Sequence, residues 1–146
     1  MRKTSFSSAA PIFRVASLAA SVEYYVTVLG FKIDWEEAPV ITSVSRDRCC
    51  LFLVEGDQGH SGSWAWVGVG DAEGLFEELR AKGARIRHPP TNYYWGLEMQ
   101  VEDLDGNVLR LGSDRKKDQP NGEWLDMHGH AWVQAPDGSW TRVERD

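Results

Sequence analysis

The chain has 146 residues, 42% of them hydrophobic and 26% charged, and a formal net charge of −6. This composition fits a globular protein of one domain or two small fused modules, whereas a nucleic-acid partner would require a basic surface. No run of about 18 apolar residues occurs, so no membrane-spanning helix is expected.

The cysteines and the first residues favour a cytoplasmic protein. Cys49 and Cys50 are the two cysteines of the chain. As neighbours on a strand they would point to opposite faces, which predicts neither a disulfide nor a thiolate metal site. Residues 1–9 start with basic residues but lack the long apolar stretch of a secretory signal, and we interpret them as a leader.

Residues 10–56 predict a first module of the order βαβββ. Ser17 is a suitable N-cap for a helix whose apolar residues recur at helical spacing. Gly30 is suited to the left-handed conformation that ends a helix. The strands predicted around this helix are Ala10–Val15, Phe31–Trp35, Ile41–Ser45 and Cys49–Val54.

The same order returns after a polar, glycine-containing linker at residues 57–63. In the second module, residues 64–113, Asp71 is the predicted N-cap and Gly83 ends the helix. The strands predicted here are Trp64–Val69, Ala84–His88 and two further strands joined at Asp105-Gly106, with Pro89–Asn92 as a loop. The two helix-ending glycines are about 53 residues apart, which suggests two copies of one supersecondary unit.

The last two strands of the second module have two different faces. Strand alternation places one set of residues on a wholly apolar face: Leu97, Met99, Val101, Leu109 and Leu111. The opposite face carries Glu98, Gln100, Val108 and Arg110. We expect the apolar face to be buried and the mixed face, which combines acid, amide and guanidinium groups, to serve function.

Residues 114–146 predict a C-terminal β-hairpin extension that turns at residues 135–138. An isolated hairpin is only marginally stable in water, so we expect it to dock on the main sheet, across a sheet edge or on another subunit, with Trp124, Trp132 and Trp140 as anchors. Alternation would also place Asp126, His128 and His130 on one strand face. These three residues are an alternative metal site, and the competing interpretation is a solvated face.

Within this order of elements, two pairs of sequence segments are similar to the signature segments of one protein family. They are Ser21–Tyr25 with Val28–Phe31 at the first helix, and Trp95–Glu98 with Glu102–Asn107 late in the second module. The chain is similar in these segments to the vicinal oxygen chelate superfamily, which includes glyoxalase I, extradiol dioxygenases and bleomycin-resistance proteins. The resemblance covers about residues 10–113 and implies an α+β fold, in which two βαβββ modules form a curled mixed sheet with outer helices and a concave cup.

The resemblance also bears on metal binding. Metal enzymes of the family take one ligand from the first and last strand of each module. In this sequence those positions correspond to Ala10, about Phe52, Trp64 and Arg110, none of which can ligate a hard divalent cation. We therefore expect a metal-free member of the family and predict no cofactor.

The candidate ligand-binding residues are the aromatic and charged side chains expected at the cup: Arg14, Trp35, Phe52, Trp64, Trp66, Tyr94, Trp95, Glu98 and Arg110. Flat rings suit planar or cationic ligands, although large rings often fill core space instead. Glu98 and Arg110 either neutralise each other or hold the polar groups of a ligand. No nucleophile–base set is evident, so no catalytic residue is predicted; Glu98 is the plausible general base if the protein is an enzyme.

Three functional hypotheses follow. The first is a homodimeric protein, resembling the bleomycin-resistance branch, that binds and sequesters a small antibiotic-like molecule, planar or cationic. The second is a glyoxalase- or dioxygenase-type lyase or isomerase of the same superfamily. The third is an interaction module in which the C-terminal hairpin is the functional part.

Overall fold

The computed structural model describes residues 4–37, 40–56 and 58–145. Within these ranges the first module contains β1 (Ile12–Val15), α1 (Leu18–Thr27), β2 (Lys32–Glu37), β3 (Ile41–Arg46) and β4 (Cys49–Glu55). The second contains β5 (Trp64–Gly68), α2 (Ala72–Ala81), β6 (Arg85–Asn92), β7 (Leu97–Glu102) and β8 (Val108–Ser113). A C-terminal sheet follows, with β9 (Trp124–Leu125), β10 (Ala131–Gln134) and β11 (Trp140–Arg142). No helix in the described ranges has the length and apolar character needed to cross a membrane.

The two modules have the same topology, which confirms the predicted α+β fold and its repeat. The first sheet has the order β1-β4-β3-β2 and the second the order β5-β8-β7-β6, each with its first and last strands parallel. Ser17 and Asp71 cap the helices by accepting hydrogen bonds from main-chain N–H groups at 3.2 and 3.0 Å. Gly30 and Gly83 have φ values of +79° and +82°, as expected for residues that end a helix.

Both sheets turn their apolar faces toward one common core. This core contains Phe13, Val44, Leu51 and Leu53 of the first sheet, Tyr25 and Leu79 of the helices, and Met99, Val101, Leu109 and Leu111 of the second sheet. The apolar face predicted for β7 and β8 is thus buried. The mixed face of each sheet lies on the side away from the core, because side chains alternate along a strand.

Polar contacts also join the two modules, at the turn between β7 and β8 and at helix α2. The Asp103 carboxylate, in the turn between β7 and β8, accepts a hydrogen bond from the Tyr25 hydroxyl of α1 at 3.0 Å. Asn107 Nδ2 of the same turn donates to the main-chain oxygen of Arg14 at 3.1 Å. At the helix, Arg46 of β3 forms a bidentate ion pair with Glu78 of α2, at 2.8 and 3.0 Å.

Two predicted segments differ from the structure. Pro89 and Pro90 lie within β6 and not in a loop, because the strand accommodates them where its register with β7 shifts between His88 and Thr91; prolines are tolerated at such irregularities. In the described residues the C-terminal extension contains the predicted hairpin, formed by β10 and β11, and a third strand, β9, that the sequence does not predict. A turn at residues 126–129, closed by the Gly129 N–H donating to the Asp126 oxygen at 3.2 Å, divides the predicted first strand of the hairpin.

Candidate functional site

Glu98 lies on the mixed face of the second sheet, near the beginning of β7. Its side chain is 1% exposed, and its Oε1 accepts hydrogen bonds from the indole Nε1 atoms of Trp66 and Trp95, at 3.2 and 2.9 Å. Arg110 donates from Nε to Oε2 at 2.7 Å and from Nη2 to Oε1 at 3.1 Å. A buried carboxylate is tolerated here because an opposite charge and several donors replace its water. Four of the predicted site residues meet in this one cluster.

Arg110 also contacts the C-terminal extension. Its guanidinium carbon lies 4.7 Å from the ring centroid of Trp124, within cation–π range. The Trp124 ring is 5.7 Å from Tyr93, 5.8 Å from Trp95 and 6.5 Å from Trp64. The extension therefore docks on the mixed face of the second sheet and not on a sheet edge, because Trp124 finds its ring partners and a guanidinium there.

Arg87 of β6 is a residue of this face that the sequence did not single out. Its guanidinium carbon lies 5.0 Å from the ring centroid of Trp64. It donates to the side-chain oxygen of Gln100 and to the main-chain oxygen of Asp126. Gln100, itself 1% exposed, donates to a main-chain oxygen of β9 at 3.1 Å. Ile86 packs against the core, so strand alternation around it could have assigned Arg87 to the mixed face.

The rim of the second sheet presents aromatic surface to solvent. Trp66 is 59% exposed, and Tyr94 and Trp95 are each 45% exposed. The neighbouring Tyr93 packs inward: its ring stacks on Trp95 with 4.7 Å between centroids, and its hydroxyl donates to the main-chain oxygen of Glu123 at 3.0 Å. Burial raises the pKa of Tyr93 to about 12. Tyr93 thus helps to hold the extension, whereas Tyr94 lies at the rim.

The other three candidate residues lie on the first sheet. Trp35 packs edge-to-face on Phe52 with 5.2 Å between centroids and remains 42% exposed. Arg14 donates from Nε to the main-chain oxygen of Gln58 at 3.4 Å. Since both sheets turn their apolar faces to the common core, their mixed faces are separate. The nine predicted residues therefore lie on two separate faces within one chain, one half-cup on each module.

Two cavities lie beside these groups in the described part of the chain. The larger, about 980 Å³, lies between the modules and is lined mainly by apolar side chains such as Phe31, Leu79 and Leu111. The smaller, about 540 Å³, is lined by the second sheet and the extension together: Trp95, Arg110, Trp124, Asp126, Trp132 and Trp140. The smaller cavity is the one at which predicted ligand-binding residues converge with the extension.

Asp126, His128 and His130 do not form the alternative metal site. Across residues 4–37, 40–56 and 58–145, no group of three His, Cys, Asp or Glu side chains is placed to hold a metal ion. Asp126 Oδ1 accepts from the main-chain N–H groups of His128 and His130 at 2.9 and 2.8 Å, and Oδ2 accepts from the indole of Trp132 at 2.9 Å. The turn at residues 126–129 breaks the strand alternation on which that prediction depends.

Comparison with known proteins gives the family. Residues 8–111 match the family model described as the Glyoxalase/Bleomycin resistance protein/Dioxygenase superfamily. The chain belongs to this superfamily. The C-terminal sheet lies outside the matched residues.

Similar solved structures share the superfamily fold at low sequence identity. The bleomycin-binding protein of Streptomyces verticillus, in complex with copper(II)-bleomycin, is 22% identical with a TM-score of 0.66, over 77% of this chain and 100% of that chain. TioX from Micromonospora sp. ML1 is 18% identical with a TM-score of 0.64, over 73% and 98% of the two chains. The virulence protein STM3117 from Salmonella typhimurium is 13% identical with a TM-score of 0.61, over 76% and 99%. No curated protein sequence matches significantly.

The metal centre of the superfamily's metal enzymes does not fit the residues of this member. Of the four corresponding positions, Ala10 offers a methyl group, Phe52 packs against Trp35, and Trp64 lies beneath the Arg87 guanidinium. At the fourth position the Arg110 guanidinium is ion-paired with a carboxylate. These groups supply none of the oxygen or imidazole donors that a hard divalent cation requires.

Proposed function

We propose that this member of the superfamily binds a small antibiotic-like molecule, planar or cationic, without converting it chemically. The observation that carries the proposal is the state of Glu98. This plausible general base is held by the Arg110 guanidinium and by the indole N–H groups of Trp66 and Trp95. To take a proton from a substrate, Glu98 would have to break this ion pair and these hydrogen bonds. That loss of free energy does not arise for a general base whose carboxylate is free to accept a proton. The carboxylate is better suited to fixing the orientation of the rings around it.

The exposed rings supply the binding surface in this proposal. Trp35, Trp66, Tyr94 and Trp95 are each more than 40% exposed, although indole and phenol rings gain free energy when another apolar surface covers them. A flat or cationic ligand stacked on such a ring gains about 0.5–2 kcal/mol per contact. The complex of a structurally similar protein with copper(II)-bleomycin supports a small-molecule ligand.

We further propose that the protein functions as a homodimer. The first-sheet group (Arg14, Trp35 and Phe52) and the second-sheet group (Trp66, Tyr94, Trp95, Glu98 and Arg110) are two half-cups on separate faces. A second copy of the chain related by a two-fold axis could place the first-sheet group of one protomer opposite the second-sheet group of the other. A ligand between them would then contact rings from both sides.

The test is a tryptophan-fluorescence titration with bleomycin-type glycopeptides, quinones and thiol conjugates, with and without divalent ions, alongside product analysis by mass spectrometry. We expect saturable quenching and an unchanged ligand. Glu98→Gln should alter the dissociation constant, and Glu77→Gln, at an exposed ion pair of α2, should not. Turnover that depends on a stoichiometric metal ion, or that Glu98→Gln abolishes, would favour the enzyme hypothesis instead.

A further inference from the structure

We propose that the C-terminal sheet completes a pocket for a small quaternary-ammonium cation at the rim of the second sheet. The inference deepens the proposed function, on which it rests for the wall formed by Trp95 and Arg110. The opposite wall is formed by Trp124, Asp126, Trp132 and Trp140, which lie outside the residues that match the superfamily model. The pocket is therefore a feature of this chain's extension.

Strand register places three tryptophans on one face of the C-terminal sheet. Trp132 pairs directly with Trp124 of β9, and Gln134 pairs with Trp140 of β11. Directly paired residues share a face, and alternate residues along a strand return to it. This face is directed toward the second sheet, because the rings of Trp124 and Trp140 lie 5.8 and 6.1 Å from the ring of Trp95.

The resulting cavity is a surface depression open to solvent, and its volume and lining are compatible with a small ligand. Its volume is about 540 Å³, and pockets for small molecules range from about 300 to 1,000 Å³. Four of its six lining side chains are tryptophans, and indole is the aromatic ring that attracts cations most strongly. Tyr93 stacks on one face of Trp95, but Trp95 and Trp140 are 45% and 41% exposed, so part of each ring is available to a ligand.

The charges around the cavity favour a cation. Arg110 is neutralised by Glu98 and lies over the ring of Trp124. Asp126 contributes a carboxylate: the hydrogen bond from Trp132, with those from two main-chain N–H groups, lowers the pKa of Asp126 to about 2. Arg142 shares the face of Trp132 but lies outside the lining residues. Several indoles beside one carboxylate suit an ammonium whose methyl groups weaken its hydration.

The experiment compares choline with 3,3-dimethylbutan-1-ol, a neutral molecule of the same shape, in titrations of the full chain. Binding is followed by NMR at the indole N–H signals of the 7 tryptophans, assigned by single substitutions. We expect choline to shift the signals of Trp95, Trp124, Trp132 and Trp140, and to bind about tenfold more tightly than the alcohol, as one or two cation–π contacts would give.

Single substitutions locate the site. Trp140→Ala should weaken choline binding about fivefold or more, and Trp140→Leu, which keeps apolar packing, should do the same. Asp126→Asn should also weaken it while keeping an oxygen acceptor for the turn. Val133→Ala is the matched control, because Val133 is on the same hairpin with the same 41% exposure but on the opposite face, and its affinity for choline should equal that of the unchanged chain.

Equal affinity for choline and the alcohol would overturn the inference. So would choline binding that survives both Trp140→Leu and Asp126→Asn in variants whose thermal unfolding is unchanged, or a shift confined to Trp35. The proposed function has a separate outcome, because a glycopeptide or quinone that binds while choline does not would leave small-molecule binding intact and remove this pocket alone.

Discussion

Single residues decide what the mixed face of the second sheet can do. Glu98 sits where the sequence allows either a structural or a ligand-binding acid, and the choice depends on partners from other segments. Trp66 and Trp95 supply indole donors and Arg110 supplies the counter-charge. The sequence predicts that these residues share a face, because strand alternation is local. It does not predict that all three donors converge on one carboxylate.

Strand alternation does not predict which way the side chains of the neighbours Tyr93 and Tyr94 point. They lie in the turn between β6 and β7, where the Tyr93 N–H donates to the Gly96 oxygen at 2.8 Å. Alternation holds within a strand and not within a turn. The sequence includes Tyr94 among the candidate ligand-binding residues, and it does not indicate that the ring of the neighbouring Tyr93 packs inward.

Glu98→Gln should destabilise the protein by about 2 kcal/mol. The substitution leaves the Arg110 guanidinium without its counter-charge; breaking a fully buried pair costs about 3–5 kcal/mol, and the partial exposure of Arg110 reduces this. Urea unfolding measures the difference. Glu77→Gln breaks an ion pair whose side chains are both 63% exposed, and we expect a change below about 0.5 kcal/mol; equal effects of the two substitutions would contradict the structural role of Glu98.

Tyr93 should make stability fall at alkaline pH. Its folded-state pKa of about 12 lies above the unfolded value of about 10, so the folded state retains a proton that the unfolded state loses. The contribution is fully present below about pH 10 and disappears as the pH rises through about 12. The free energies of unfolding of the unchanged chain and of Tyr93→Phe, measured from pH 8 to 12, should differ by an amount that changes as the pH rises above about 10. A difference that does not vary with pH would contradict this assignment.

At the scale of elements, prediction succeeds where the signals are local. The N-caps, the two helix-ending glycines and the apolar periodicities place both βαβββ modules. Pro89 and Pro90 are misassigned because a register shift in β6 absorbs them. The docking of the C-terminal sheet depends on contacts between Trp124 and residues about thirty or more positions away along the chain, and no periodicity in the sequence encodes them.

Trp124→Ala should loosen the C-terminal sheet and cost about 2 kcal/mol. A fully buried tryptophan replaced by alanine costs about 3–5 kcal/mol, and Trp124 is partly buried. Thermal unfolding and hydrogen exchange of residues 124–142 measure the effect. Trp140→Ala, at a residue 41% exposed, serves as the comparison and should cost less than half as much; equal losses would mean that Trp124 is not the anchor.

The turn at residues 126–129 should weaken in acid. The folded-state pKa of Asp126, about 2, lies below the unfolded value of about 3.9. Its contribution is therefore present above about pH 4 and is lost as the pH falls through about 2. The indole N–H signal of Trp132, which donates to Asp126, should move with this transition, and Asp126→Asn should remove the pH dependence. A signal that stays constant from pH 5 to 2 would contradict the assignment.

At the scale of the whole molecule, the two half-cups on separate faces lead us to expect that the chain self-associates as a dimer. Trp35 and Ile12 expose apolar surface on the face of the first sheet that carries Phe52, and exposed apolar patches of this kind mark interfaces or ligand sites. Sedimentation velocity should give a species of twice the mass of the chain, and Trp35→Glu should shift it toward the monomer. Phe6→Ala, at a side chain 96% exposed, is the control. A monomer at all concentrations would contradict the proposed dimer.

The interlocking of the two modules has a consequence for how the chain folds. The Tyr25 hydroxyl of α1 finds its acceptor in the second module, and Glu78 of α2 finds its counter-charge in the first. Neither half is complete by itself, so heating should produce a single cooperative transition and not two. Fragments cut within residues 58–63 should each remain largely unstructured when separate, and should regain ordered structure together when mixed.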